Sequence, residues 1–480
     1  MKMKHVVTFT LLFITTYKVS AQQKWNLKSV VEYAMANNIT VKQSEVQARI
    51  SEVNYKQSRL SQIPNASFNS NGSLNSGTNQ DPTTFSRITE SYFAANMQLQ
   101  TSADIFNFFS KRNIIAADHW ELEASRANID KLKNDIALTA ANGYLQVLLA
   151  KEEENVAMVQ LQQTGAQLTN TRKQVDVGAL PELNASQLEA QYALDSVNYI
   201  TAKGNLQQSI LQLKSYMNID AAAPFEVETP PVELIPVEPI ADLQPENVYL
   251  LAMANQPLQK VNDFRLKAAE KNAAAARGAM YPTLSGFGSL GSGYNNKFQL
   301  LTGFTKTTAA NVPIGTVDVG GVPYSVVTTQ TLTTPNYSNR TFPQQLSDNF
   351  SQSIGLGLSV PIFSGASLRS NYQRSKLNIT TLQLQKTLDD QTLKQDIYQA
   401  YNAAVIALEK FNASKKNVEI NEITYDYASK RFDVGMLSTF ELITTQNNLL
   451  RARLEYTINR FDYVFKMKVL EFYKGLGLKL

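Results

Sequence analysis

The sequence contains one long unit twice, and the two copies differ in length. Ala-Met-Ala-Asn stands at 34–37 and again at 252–255, 218 residues on, and the same spacing links Pro64 to Pro282 and Ser67 to Ser285. Further along, Ile105-Phe106 matches Ile362-Phe363, Arg112 matches Arg369, and Asp176-Val177-Gly178 matches Asp433-Val434-Gly435, now 257 residues apart. The rise in offset from 218 to 257 is a 39-residue insertion in the second copy, between Ser285 and Leu356, the partner of Leu99. A period of 218 residues is far too long for a solenoid module and reads as duplication of a whole half-protein. A place that absorbs such an insertion is exposed and away from the packed core.

The N-terminus predicts a secretory signal over 1–21: Lys2 and Lys4, an apolar run at 6–14, then Val19-Ser20-Ala21 before Gln22. Cleavage removes Lys2, Lys4 and Lys18 and takes the formal charge from +4 to +1, which offers nothing to a nucleic acid. There is no cysteine, and His119 is the only histidine after the signal, so neither a thiolate site nor histidine chemistry is available. His119, beside Trp120, reads as an ordinary helix residue. No later segment is apolar for long enough to span a bilayer as a helix. If this chain crosses a membrane, strands must do it.

Each half reads as helix, strand, strand, long helix, tight turn, helix. The first repeat covers 22–222, with an opening helix over 25–60, strands near 66–74 and 92–101, and a helical hairpin over 110–218 turning at 175–181. A linker at 223–245 holds Pro224, Pro230, Pro231, Pro236, Pro239 and Pro245, which forbids a continuous helix. The second repeat covers 246–480, with strands near 283–292 and 351–360, a loop over 291–350, and a hairpin over 366–474 turning at 432–438.

The strands alternate with period two. Phe93, Ala95, Met97 and Leu99 interleave with polar or small residues, as do Ile354, Leu356, Leu358 and Val360. One apolar face over about ten residues suits a transmembrane barrel strand with lipid outside and water inside. Phe93, Met97, Leu99, Ile354, Leu356 and Leu358 are the expected lipid-facing residues. Aromatics gather at both ends of these strands, Phe106, Phe108, Phe109 and Phe363 on the helix side and Tyr92, Tyr294 and Phe350 on the other. Four strands cannot close a barrel, so other copies must complete it: two chains give eight strands and three give twelve.

Residues 110–174 and 366–433 contain no proline and predict helices of roughly 100 Å each at ~1.5 Å per residue. In the last helix Leu450, Leu454, Ile458, Phe461, Phe465, Val469 and Phe472 repeat every eleven residues, which asks for straight or slightly right-handed packing. Both long helices end at Asp-Val-Gly, where glycine supplies the left-handed residue that stops a helix. Val177, Gly178 and Leu180 in one tip, and Val434, Gly435 and Leu437 in the other, form an exposed Val-Gly-x-Leu that another helix can approach closely.

With these pieces in order, the chain resembles the TolC-like outer-membrane efflux proteins over essentially its whole mature length. The paired "AMAN" helices, the strand exits "DIFNFFSKR" and "PIFSGASLR", and the turns "VDVGAL" and "FDVGML" carry the resemblance, most specifically "RFDVG…ELITTQNNLLRAR". It implies a mainly α fold with a small transmembrane β part. Three chains would form an α-barrel tunnel in the periplasm and a twelve-stranded β-barrel in the outer membrane, four strands from each. It also implies a passive duct that docks to a periplasmic adaptor and an inner-membrane pump, with no cofactor. The tyrosine and arginine that latch some members shut fall on Phe432 and Leu437, which cannot form that polar contact. The acidic constriction positions fall on Glu441 and Thr444, so one carboxylate remains. Three such carboxylates facing one another would resist full ionisation and attract cations.

A coiled-coil spacer or adhesin of the envelope would also use the long helices, but it has no need of matched alternating strands in both halves. An enzyme is excluded by the lack of a nucleophile–base pair, a metal-ligand cluster or a phosphate loop.

Overall fold

The computed structural model describes residues 24–80, 85–229 and 237–475. The expected signal segment and Pro230, Pro231 and Pro236 of the linker lie outside these. In chain order the first half runs α1 (Leu27–Asn37), α2 (Ile39–Leu60), β1 (Asn65–Gln80), β2 (Arg87–Phe106), α3 (Ser110–Asp176) and α4 (Glu182–Met217). The second runs α5 (Pro245–Asn255), α6 (Pro257–Gly278), β3 (Thr283–Asn295), β4 (Gln299–Val319), β5 (Val322–Asn339), α7 (Phe342–Asp348), β6 (Ser351–Ser359), α8 (Ser367–Asp433) and α9 (Thr439–Tyr473).

The opening helix is broken, not continuous over 25–60. Asn38 is extended at ψ 135°, its amide donating to the Tyr216 carbonyl at 2.9 Å and its side-chain oxygen accepting from the Thr40 N–H at 2.8 Å. The Thr40 bond is local and gives the backbone an alternative to helix, and the Tyr216 bond ties the break to a distant helix end. The second half breaks at the equivalent Gln256, at ψ 129°, where Pro257 follows with no N–H to donate.

Two compact units divide the described residues: residues up to Val53 with His119–Ala268 and those from Asn378, and Asn54–Asp118 with Ala269–Leu377. In the first, the duplication is visible in the core. Val30, Ala140, Val147 and Leu213 share one cluster, and their repeat partners Val248, Ile397, Ala404 and Leu470 share another. The linker is tied down beside them. The Trp25 N–H donates to the Glu226 carbonyl and the Glu228 N–H to the Trp25 carbonyl, both at 2.9 Å. The buried Tyr144 hydroxyl donates to the Glu228 carbonyl at 2.8 Å, and burial together with the Glu228 charge pushes its pKa up to about 12.

Helix α9 packs within the chain on a face beside its apolar series. Of the eleven-residue apolar series only Phe461 and Phe472 are buried; Leu450, Leu454, Phe465 and Val469 are half-buried and Ile458 is exposed. The face packed within the chain runs through Leu442, Gln446, Leu449, Ala452 and Thr457, a step to one side. The periodicity was read from the apolar residues alone, and this seam includes Gln446 and Thr457.

In the second unit four strands pair antiparallel in the order β1-β2-β3-β6, leaving β1 and β6 as edges. The register sorts the side chains. Leu99 lies opposite both Phe68 and Leu290, Phe93 opposite Leu74, and Leu358 opposite Leu284, which joins the apolar residues on one face. On the other face Ser289 and Ser353 hydrogen-bond at 2.8 Å. The sorting is not complete: Phe287, paired with Ser102 and Gly355, lies on the polar face.

The expected loop over 291–350 is largely regular. β4 and β5 form a separate antiparallel hairpin, joined at Gly320-Gly321 with φ of +69° and +86°. Two consecutive positive-φ glycines make the two-residue turn that matches strand twist, and the flanking threonines, valines and tyrosines favour strands. A segment this rich in threonine has strand chemistry even where its serines and glycines suit a loop.

Candidate functional site: the hairpin tips and the start of the last helix

Both tips are closed in the same way. Beyond α3, Gly178 has φ +75°; its N–H donates to the Val175 carbonyl at 2.8 Å, and the Ala179 N–H donates to the Gln174 carbonyl at 2.8 Å. Beyond α8, Gly435 has φ +76°; its N–H donates to the Phe432 carbonyl at 2.9 Å, and the Met436 N–H to the Arg431 carbonyl at 2.8 Å. This paired closure satisfies carbonyls that a helix end otherwise leaves without partners. A Cβ added at Gly178 or Gly435 would meet nothing within 4 Å. The backbone conformation therefore demands glycine, not crowding within the chain.

The turns present Val177 at 79 % exposure and Val434 at 69 %, while Leu180 and Leu437 are half-buried. Met436 and Phe440 are also exposed, apolar positions that reasoning from the repeated Val-Gly-x-Leu passed over because the first tip has no counterpart in Ala179 or Leu183 of the same shape.

The return helices start differently. Pro181 caps α4 with no side-chain bond, whereas Ser438 caps α9 in a reciprocal box. The Ser438 Oγ accepts from the Glu441 N–H at 3.2 Å, and the Glu441 carboxylate accepts from the Ser438 N–H at 3.1 Å and hydroxyl at 2.9 Å. Those bonds, chiefly the serine hydroxyl's, hold the Glu441 carboxyl below the usual carboxylate range, with Arg431 adding a smaller pull. Within one chain the carboxylate thus favours ionisation, opposite in direction to the effect expected of three converging copies. Thr444 is exposed one turn on, its hydroxyl donating to the Phe440 carbonyl at 2.8 Å.

Phe432 is half-buried and, like Leu437, offers no side-chain hydrogen bond. Polar links between the two hairpins stand elsewhere along the helices. Gln167 donates to the Tyr425 hydroxyl at 2.7 Å. The buried Asp195 carboxylate accepts from the Thr164 hydroxyl at 2.6 Å and the Gln191 amide at 2.8 Å. Gln446 donates to Thr164 at 3.1 Å, and Gln191 and Asn447 exchange amide contacts at 3.2 and 3.3 Å. Sequence reasoning missed this cluster. Its one visible signal is Gln446, which takes a helical step between Leu442 and Leu449 in an otherwise apolar seam.

The outer membrane efflux protein family matches residues 30–218 and 248–463, once in each half and on either side of the linker. The chain belongs to that family. Its place is the outer membrane, and its members are transport conduits, not enzymes. Over 466 residues the chain is 21% identical to the outer membrane efflux protein BepC of Brucella suis biovar 1, covering 96% of this chain and 87% of BepC. It is 22% identical over 479 residues to the toluene efflux pump outer membrane protein TtgC of Pseudomonas putida, covering 95% and 85%. Among solved structures, the Campylobacter jejuni CmeC outer membrane channel shares the fold at a TM-score of 0.73 and 16% identity, covering 95% of this chain and 87% of that one. None of the described helices is long and apolar enough to cross a membrane.

Proposed function

We propose that this chain is the outer-membrane exit duct of a tripartite efflux or type I secretion system: a passive homotrimeric channel that docks to a periplasmic adaptor and an inner-membrane pump. The four-stranded sheet carries the reading, because it has two unlike faces and two free edges, β1 and β6. In lipid each unpaired edge group costs several kcal/mol, so the edges of one chain must pair with those of its neighbours. Three chains supply twelve strands, with lipid against Phe93, Met97, Leu99, Ile354, Leu356 and Leu358 and water against the serine-rich face.

On this reading the tips, through Val177, Gly178, Leu180, Val434, Gly435 and Leu437, receive the adaptor. Glu441 and Thr444 line the periplasmic constriction. The β4–β5 hairpin stands outside the cell, since a secreted chain that begins in the periplasm reaches the far side after one strand. Names such as toluene efflux pump outer membrane protein among the relatives support an export role.

Native mass spectrometry of the detergent-solubilised protein should give three copies; a stable monomer or dimer that keeps its β circular-dichroism signal sinks the assembly. An epitope tag at Thr308 should label on intact cells. Labelling only after permeabilisation reverses the topology.

A further inference from the structure

The β4–β5 hairpin carries its apolar side chains unevenly. Val319 pairs with Val322, Val317 with Tyr324 and Gly315 with Val326. Residues opposite one another or two apart share a face. Val317, Val319, Val322, Tyr324 and Val326 therefore cover one side of the tip, each between 41% and 61% exposed. The reverse side carries Thr316 opposite Ser325 and Asp318 opposite Pro323. Nearer the root the pairs are Thr305 with Thr334, Lys306 with Thr333 and Thr308 with Thr331, which suit water on both sides. This threonine stretch, interrupted by Leu332, separates the tip's apolar face from the apolar pairs at the root, Phe304 with Pro335 and Leu301 with Tyr337.

Two further observations say what covers that face. First, β4 and β5 pair only with each other, so each has a free edge, and Lys306 and Asp318 are the only charges between 299 and 339. A two-stranded hairpin alone is marginally stable, and an edge with few charges invites another strand. Second, the hairpin is rooted between β3 and β6, and β6 is an edge of the four-stranded sheet. On the trimeric reading that edge meets the next chain, so each hairpin rises beside a subunit boundary with two identical hairpins at the same height. From Gln299 to Val319 the strand extends roughly 66 Å at ~3.3 Å per residue, against a radius of roughly 12 Å for twelve strands spaced ~4.8 Å apart and tilted. The tips have ample reach to meet. The threonine-rich stretch between root and tip also separates the apolar face from the sheet's own apolar band, which disfavours lipid as its cover.

We propose that the three hairpin tips pack their apolar faces together on the threefold axis and form a cap over the outer mouth of the channel. The occupant of each face is the same face of the two other copies, a closed heterologous ring. The proposal rests on the trimeric reading, and the test separates the two.

The chain has no cysteine, so single cysteines report without background. Val322→Cys, on the apolar face, and Ser325→Cys, on the reverse face, are each oxidised in intact cells and run on non-reducing gels. Native mass spectrometry of the same preparations counts subunits. The cap predicts intersubunit disulfide in Val322→Cys at several times the level in Ser325→Cys, in a preparation that is trimeric. Equal cross-linking in an intact trimer overturns the cap and leaves the trimer standing; absence of a trimer overturns both. A spin label on Val322→Cys that is relaxed by bilayer-dissolved oxygen assigns the face to lipid and also overturns the cap. Replacing 302–336 by Asn-Gly gives the functional readout: trimers should still form, and their planar-bilayer conductance should rise. Unchanged conductance in the shortened trimer overturns the cap.

Discussion

Gly435 has two separable jobs, closing a helix and allowing another helix to come near, and two substitutions tell them apart. At φ +76° an ordinary L-residue carries a penalty of about 1–2 kcal/mol, because its Cβ crowds the neighbouring carbonyl. Asparagine visits this region readily. No atom of the described residues lies within 4 Å of an added Cβ, so the conformational penalty is the whole intramolecular cost among them. Gly435→Ala should therefore weaken the closure formed by the Gly435 and Met436 N–H groups by about 1–2 kcal/mol per chain, or roughly 3–6 kcal/mol over a trimer. Gly435→Asn should cost far less while adding more bulk outside. Hydrogen exchange at the Met436 amide measures the first effect, and photo-cross-linking from Val434 to the adaptor measures the second. If the tip is a contact surface, Gly435→Asn keeps native protection yet loses cross-linking and efflux. Wild-type cross-linking in a normally protected Gly435→Asn chain refutes the contact. Wild-type protection in Gly435→Ala refutes the conformational argument instead.

Glu441→Gln should keep the capping box, since glutamine also accepts at that position. The depressed carboxyl stabilises the fold above the unfolded value and loses that contribution as pH falls through the folded one, below 4.5. Acid unfolding monitored by circular dichroism should therefore lose a component in the variant. In planar bilayers Glu441→Gln should lower cation preference whereas Glu422→Gln, which only breaks the Arg453 ion pair at 2.9 Å, should not; equal selectivity in wild type and Glu441→Gln removes the constriction role. Asp195→Ala leaves the buried Thr164 hydroxyl and Gln191 amide without their acceptor, at about 1–3 kcal/mol each, and should lower the melting temperature without changing trimer formation; an unchanged melt contradicts the network. Gly355→Ala puts a Cβ 2.6 Å from the Phe287 ring, so it should destabilise the sheet by about 1–3 kcal/mol, and Phe287→Ala in the same chain should recover most of the loss; additive losses would contradict the clash.

The duplication, the positions of the two tips and, outside the helix breaks and the inserted segment, the order of elements are legible in the amino-acid sequence alone. These are local matters. Asp-Val-Gly ends a helix wherever it follows one, and alternation at 353–360 specifies a two-faced strand regardless of what lies beside it. The same locality explains why the family match falls on 30–218 and 248–463, the stretches legible as repeats.

Tertiary structure decided what depends on a neighbour. The break at Asn38 needs the Tyr216 carbonyl, 178 residues away, and no pattern within 25–60 announces it. In α9 the apolar series through Leu450, Leu454 and Ile458 is real, yet the seam that packs is the adjacent one, because α3 and α4 offer Thr164 and Gln191, both bonded to Asp195, to Gln446 and Asn447. Glu441 was placed at a constriction, and the structure shows its carboxylate also spent on capping Ser438, a use that depends on rotamer and reach. The inserted segment divides between the two causes. Its Gly320-Gly321 turn and β-branched flanks are local and could have been read as a hairpin. Which side chains share the tip's exposed face was fixed only by the register, where bulges between Leu301/Gly303, Ala309/Val312 and Pro313/Gly315 shift the pairing and a single slip would exchange the faces.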